Sequence, residues 1–188
     1  QVPPALLLGD RTPLGESTYA KLSNAEQVFL VGSFVKSNLE RSLQELQDRR
    51  LLVFETRDIQ GIRLVYGKKV IRLAKEGETW KLKEPEAAEA QPGKIFSLLL
   101  MLKELKFKET LGQRDGSLEK YGLAPPLAEV ILMKADGTEL PPLLIGKREQ
   151  DHRYAKLKTA PTIYTVDPKL WDDLPKDPQA FKKQEKAS

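Results

Sequence analysis

Apolar and polar residues alternate over much of this chain, and clusters of Gly, Pro, Asn and Asp interrupt the alternation. A period of two marks strands with one buried face. It predicts strands at Leu6–Leu8, Tyr19–Leu22 and Val28–Val31, the last two joined through Ser23-Asn24-Ala25. A second series over 56–83 reads as a three-stranded antiparallel meander. Its strands carry Ile62, Leu64 and Tyr66, then Val70–Leu73, then Thr79–Leu82, with turns at Gly67-Lys68 and Glu76-Gly77-Glu78. A third series begins with Ala128–Met133 and the hairpin signal Asp136-Gly137. It continues through Leu143–Ile145, Arg153–Leu157 and Thr162–Val166.

Helical periodicity interrupts the strands three times. Val35, Leu39, Leu43 and Leu46 form one stripe and predict a helix over 34–48, with Ser33 as its N-cap and Arg49-Arg50 at its cationic end. After the connector Pro85–Pro92, the stretch Gly93–Lys108 predicts a second helix. Its first half is apolar nearly all round, which predicts a central helix buried against a sheet. Gly112–Gly122 reads as a loop. Asp167-Pro168 starts a short helix with Leu170, Trp171 and Leu174, and the charged tail 176–188 is expected to be a short helix or a poorly packed end. The fold class is therefore α+β: antiparallel β-meanders covered by helices.

Two stretches are versions of one pattern. Pro3–Val31 and Pro141–Val166 each run Pro-Pro, an apolar segment ending in Gly (Gly9, Gly146), a polar loop, Tyr-Ala-Lys-Leu, and an apolar strand ending in Val. Tyr19 and Tyr154 stand 135 residues apart, the spacing of a duplicated domain half and not of a solenoid repeat. The predicted organisation is the second half of one unit (1–55), a complete unit (56–175) and a tail (176–188). The chain opens at Gln1 inside the recurring pattern, so we expect a fragment whose N-terminus and any targeting segment lie upstream. The pattern holds Gly, Tyr and alternating apolar residues, which are parts of a sheet more than of an active site.

Composition narrows the setting. With 40% hydrophobic and 31% charged residues this is an ordinary globular composition, and the net charge of +4 is interspersed along the chain. That balance argues against a nucleic-acid partner. The absence of cysteine excludes Cys-based zinc sites, thiol catalysis and disulfides, and fits cytoplasm and periplasm alike. The longest apolar run, Ile95–Leu102, is far shorter than the ~18 residues of a membrane span.

Several constellations resemble chemistry. Ser33-Phe34-Val35-Lys36 matches S-x-x-K, in which a lysine one helical turn from a serine assists its deprotonation, and Lys158-Thr159-Ala160 approaches K-T-G. Ser37-Asn38 adjoins the first motif, and Ala160 replaces Gly, so Ser33 reads better as a helix cap and Lys36 as an exposed residue. His152, the sole histidine, lies beside Glu149 and Asp151, but adjacent loop residues cannot easily surround one metal ion. Gly61–Lys69 departs from a phosphate loop in spacing and alternates like a strand. Asp172-Asp173 are neighbours that diverge on a helix. The basic clusters Lys103–Lys108 and Lys182-Lys183 read as solvated faces, and Trp80 and Trp171 as packing residues. No catalytic residue, metal or cofactor is assigned.

The order Trp80-Lys81-Leu82-Lys83-Glu84-Pro85, a Leu-rich helix, Tyr121-Gly122-Leu123-Ala124-Pro125-Pro126, a strand, Leu144-Ile145-Gly146, Tyr154 and Tyr164-Thr165-Val166 resembles a bacterial family of domains of unknown function. The stretch Val28–Phe54, with Leu46–Leu51, resembles it too. Members are often encoded beside gliding-motility-type ABC-transporter components. The resemblance implies a membrane anchor followed by an extracytoplasmic region with repeated units. The expected function is a non-catalytic, periplasmic accessory or interaction domain with ABC-transporter components as partners. Alternatives are a glycan- or peptidoglycan-binding module using an exposed Trp, and a serine-type hydrolase or penicillin-binding activity at Ser33 and Lys36.

Overall fold

A computed structural model describes residues 3–39, 48–112 and 118–183. The chain divides into two compact units, Gln1–Asp48 and Arg49–Ser188. Arg49–Glu55 therefore belongs with the second unit, where Leu51, Leu52 and Phe54 enter the main core.

The first unit is a three-stranded antiparallel sheet of β1 (Leu6–Arg11), β2 (Ser17–Leu22) and β3 (Val28–Gly32), with β2 central. Helix α1 (Ser33–Leu39) follows β3 directly, so Ser33 is its first residue and not a residue before it. Residues 40–47 of the predicted helix over 34–48 lie outside the described residues, and Asp48, its predicted end, is not helical.

The second unit is one nine-stranded sheet, antiparallel at every pairing. The expected meander forms as β4 (Ile59–Tyr66), β5 (Lys69–Glu76) and β6 (Thr79–Glu84). The expected connector adds a fourth strand, β7 (Ala88–Glu89). Helix α2 spans Pro92–Lys103, with Pro92 in its first turn. It ends five residues earlier than predicted, and Phe107–Gly112 forms strand β8. Strand pairing wins there because β8 closes the far edge of the sheet against the last strand and shelters Phe107 against Tyr164. Then come β9 (Ala128–Lys134), β10 (Leu143–Glu149), β11 (His152–Leu157) and β12 (Ile163–Val166), followed by α3 (Lys169–Asp173).

The spatial order is β7-β6-β5-β4-β9-β10-β11-β12-β8. Two meanders meet at β4 and β9, where Leu64 faces Val130 across the seam. Helix α2 buries Ile95, Leu98, Leu99 and Leu102, while Phe96 and Leu100 remain exposed. The helix is thus amphipathic and not buried all round. Each of those buried leucines contributes about 1.5–3 kcal/mol. Of the two expectations for the tail the short helix holds: Pro178–Phe181 forms a 3-10 turn, Phe181 is fully buried in the core, and its carbonyl accepts from Gln91 N at 2.7 Å.

A second, smaller core lies on the opposite face, where Tyr121, Leu123, Leu144, Tyr154 and Ile163 pack with Leu111 and Leu118. Leu143 and Ile145 join the main core and Leu144 the small one, as alternation along β10 requires.

Candidate interaction surface

The first unit and the β10–β12 meander share one register. Leu6, Leu7 and Leu8 pair with Leu22, Lys21 and Ala20; Leu143, Leu144 and Ile145 pair with Leu157, Lys156 and Ala155. Each hairpin then shifts register at the same place, between Leu8 and Arg11 and between Ile145 and Arg148. The third strands match as well, Tyr19 opposite Leu30 and Tyr154 opposite Thr165. The turn bonds repeat too: Ser23 N donates to Ala5 O at 2.9 Å, and Lys158 N to Pro142 O at 2.8 Å. The sequence echo is a structural repeat.

The two copies meet different surroundings. On one face of the first copy, Leu7, Tyr19, Val28 and Leu30 are 50%, 43%, 58% and 57% exposed. Their counterparts Leu144, Tyr154, Ile163 and Thr165 are 8%, 7%, 2% and 3% exposed. The opposite face of the first copy buries Thr18 and Ala20 and leaves Leu6 and Phe29 exposed. Lys21 lies on the first of these faces between Leu7 and Val28. An exposed, largely apolar face of this kind marks an interaction surface. Its edges are open as well: among the described residues, β1 and β3 each pair only with β2, whereas β10 and β12 are flanked by β9 and β8. Unpaired strand edges template further strand addition.

In the second unit, Tyr121-Gly122-Leu123 covers this face. The Tyr121 and Tyr154 rings meet edge-on with centroids 4.9 Å apart. Gly122 has φ +65°, and a Cβ there would lie 2.9 Å from Lys147 N. A Cβ at Gly146 would overlap the Tyr121 carbonyl oxygen. Both glycines let two backbones touch. At Gly9, the counterpart of Gly146, a Cβ would meet, among the described residues, only the Tyr19 Cβ and carbonyl oxygen, at an ordinary 3.6 Å. In both copies a cation satisfies the bulge carbonyl: Lys36 Nζ donates to Gly9 O at 2.8 Å, and Arg153 Nη1 to Gly146 O at 2.7 Å.

The sequence-derived candidates separate. Ser33 and Lys36 sit on α1 of the first unit, with Lys36 bonded to Gly9, while Lys158-Thr159-Ala160 lies in the second unit, where Lys158 pairs with Glu129 at 2.8 Å. His152 begins β11, its Nδ1 3.3 Å from Asp151 and its ring 5.1 Å from Tyr154. That contact holds the Asp151 carboxyl below its usual range. Among the described residues, no group of three His, Asp or Glu converges to hold a metal. Gly61–Lys69 is β4 and its turn, as alternation predicts. Asp172 and Asp173 end α3. Lys103 pairs with Glu55, and Lys182 and Lys183 with Glu86 and Glu89.

Trp80 is buried in the core. Trp171 is partly buried between Arg153 at 5.1 Å and Lys176 at 4.7 Å, with Tyr66 edge-on at 6.0 Å. Burial depresses the Arg153 pKa and pushes the Tyr66 phenol up to about 12. A cavity of roughly 560 Å³ lies among Met101, Leu105, Phe107 and Leu170, rimmed by both charge signs. The exposed face of β1–β3 was not among the sequence-derived candidates. Its signal was the echo itself: Tyr-Gly-Leu occurs once in the chain, while the pattern it covers occurs twice.

These features define an antiparallel β-sheet protein built on an internal repeat. The chain belongs to the family described as Domain of unknown function (DUF4340), whose model matches residues 4–111 and 80–186. No curated protein and no solved structure matches it. No helix among the described residues is long and apolar enough to cross a membrane.

Proposed function

We propose that this chain is a non-catalytic accessory or interaction domain of a membrane-anchored, extracytoplasmic protein, with ABC-transporter components as partners. One observation carries the interaction reading: the open face of Leu7, Tyr19, Val28 and Leu30, whose counterparts in the second unit are buried. The membrane and transporter setting rests on the family resemblance, which supplies a context and no active-site residue.

The test is affinity capture of a tagged protein containing this chain from gently solubilised bacterial membranes, beside a Leu7→Lys/Leu30→Lys variant. Enrichment of permease and ATPase subunits by the parent, and its loss in the variant, is the expected result. Equal capture by both, or enrichment of no membrane protein, overturns the proposal. Turnover of a substrate by the purified chain overturns the non-catalytic part.

A further inference from the structure

We infer that the open face and edges of β1–β2–β3 accept a Tyr-Gly-Leu-bearing strand–turn–strand segment from another repeat unit of this family. The inference rests on the interaction-module reading and specifies the partner. The second unit shows how such a segment binds. Between Phe107 and Lys134, strand β8 pairs with the outer edge of β12 and β9 with the outer edge of β10. Between those strands, Leu118, Tyr121 and Leu123 close the face.

The first unit keeps most of the acceptor positions; the exception is Leu30, which replaces Thr165, whose hydroxyl accepts from Glu109 N of β8 at 3.1 Å. Gly9, Leu7, Tyr19 and Val28 stand where Gly146, Leu144, Tyr154 and Ile163 receive the segment. The Gly9 niche is decisive. At Gly146 the absent side chain is explained by the Tyr121 carbonyl of the covering segment, which a Cβ would overlap. At Gly9 the described contacts of a Cβ are only with the adjacent strand, the Tyr19 Cβ and carbonyl oxygen at 3.6 Å, and no described covering segment lies against it. A strand position with no conformational need for glycine loses packing by having one, unless a backbone approaches. The Gly9 backbone has no positive φ to demand glycine.

A second copy of this chain is a poor donor. Its own Phe107–Lys134 segment already covers Leu144, Tyr154 and Ile163, so donating it would uncover as much apolar surface as it covered. A separate unit of the same family carries no such penalty. Main-chain pairing would supply affinity, and the glycine niche with its Tyr and Leu contacts specificity.

The probe is a synthetic peptide with the sequence of residues 105–134, titrated into the whole 188-residue chain, with hydrogen exchange followed separately over Leu6–Gly32 and Leu143–Val166. We expect slowed exchange over Leu6–Gly32 at about 100 µM peptide. Gly9→Val in the chain, or Leu123→Ser in the peptide, should weaken that protection about tenfold. The peptide variant leaves the fold of the acceptor untouched. No slowing over Leu6–Gly32, slowing confined to Leu143–Val166, or equal binding by Gly9→Val overturns the inference. A chain that already dimerises through Leu6–Gly32, seen by sedimentation, overturns it in favour of a second copy. Transporter capture without peptide binding removes this inference and leaves the functional proposal standing; peptide binding without capture does the reverse.

Discussion

The carbonyl oxygen of Tyr121 rests where a side chain at Gly146 would have to be. This contact joins the Tyr-Gly-Leu turn to the bulge of β10 and gives both motifs one structural meaning. Gly146→Val should therefore destabilise the second unit by about 1–3 kcal/mol, because a backbone atom cannot move aside as a side chain can. Both tryptophans lie in that unit, so urea unfolding followed by their fluorescence reads it directly. Gly9→Val should leave the fold of the first unit, read by far-ultraviolet circular dichroism, within about 0.5 kcal/mol of the parent.

Val28 and Ile163 occupy the same register position with opposite exposure. Ile163→Ser should cost about 3 kcal/mol or more, from lost burial and a hydroxyl placed in an apolar core. Val28→Ser should leave the melting transition of the second unit unmoved and lower the binding of a hydrophobic fluorescent dye. Equal destabilisation by the two substitutions would show that the first unit's face is covered.

Tyr66 donates its hydroxyl to Pro175 O at 2.9 Å, and burial pushes its pKa from 10 up to about 12. Between those values the unfolded chain releases this proton and the folded chain keeps it. The contribution is therefore fully present below about pH 10 and is lost as pH rises toward about 12. Burial also raises the Tyr154 pKa, so alkaline titration at the phenolate absorbance should show late-ionising tyrosine signal that is reduced, but not abolished, in Tyr66→Phe.

Trp171 is held between two cations and the Tyr66 edge. Trp171→Ala should destabilise the second unit by about 3 kcal/mol, and Trp171→Phe by about 1 kcal/mol, because a phenyl ring retains the packing but is a weaker partner for the cations. Urea unfolding monitored through Trp80 measures both.

Local pattern determined much of this protein. Alternation located the strands from Ile62 to Leu82 and from Ala128 to Val166, and the echo of Tyr-Ala-Lys-Leu located the repeat, because side-chain period and turn chemistry act between near neighbours in the chain. Phe107–Gly112 escaped that reading: its residues suit a helix end until β12 offers them an edge. The seating of Phe181 escaped it as well, since a charged flank hid a single aromatic with a distant pocket. The seam of Leu64 against Val130 joins residues far apart in the chain, and no local signal marks such a pairing. Tertiary structure alone decided the two fates of the repeat: Tyr154 is buried under Tyr121 while Tyr19 stays open, because burial depends on what covers a face and not on the residues that form it.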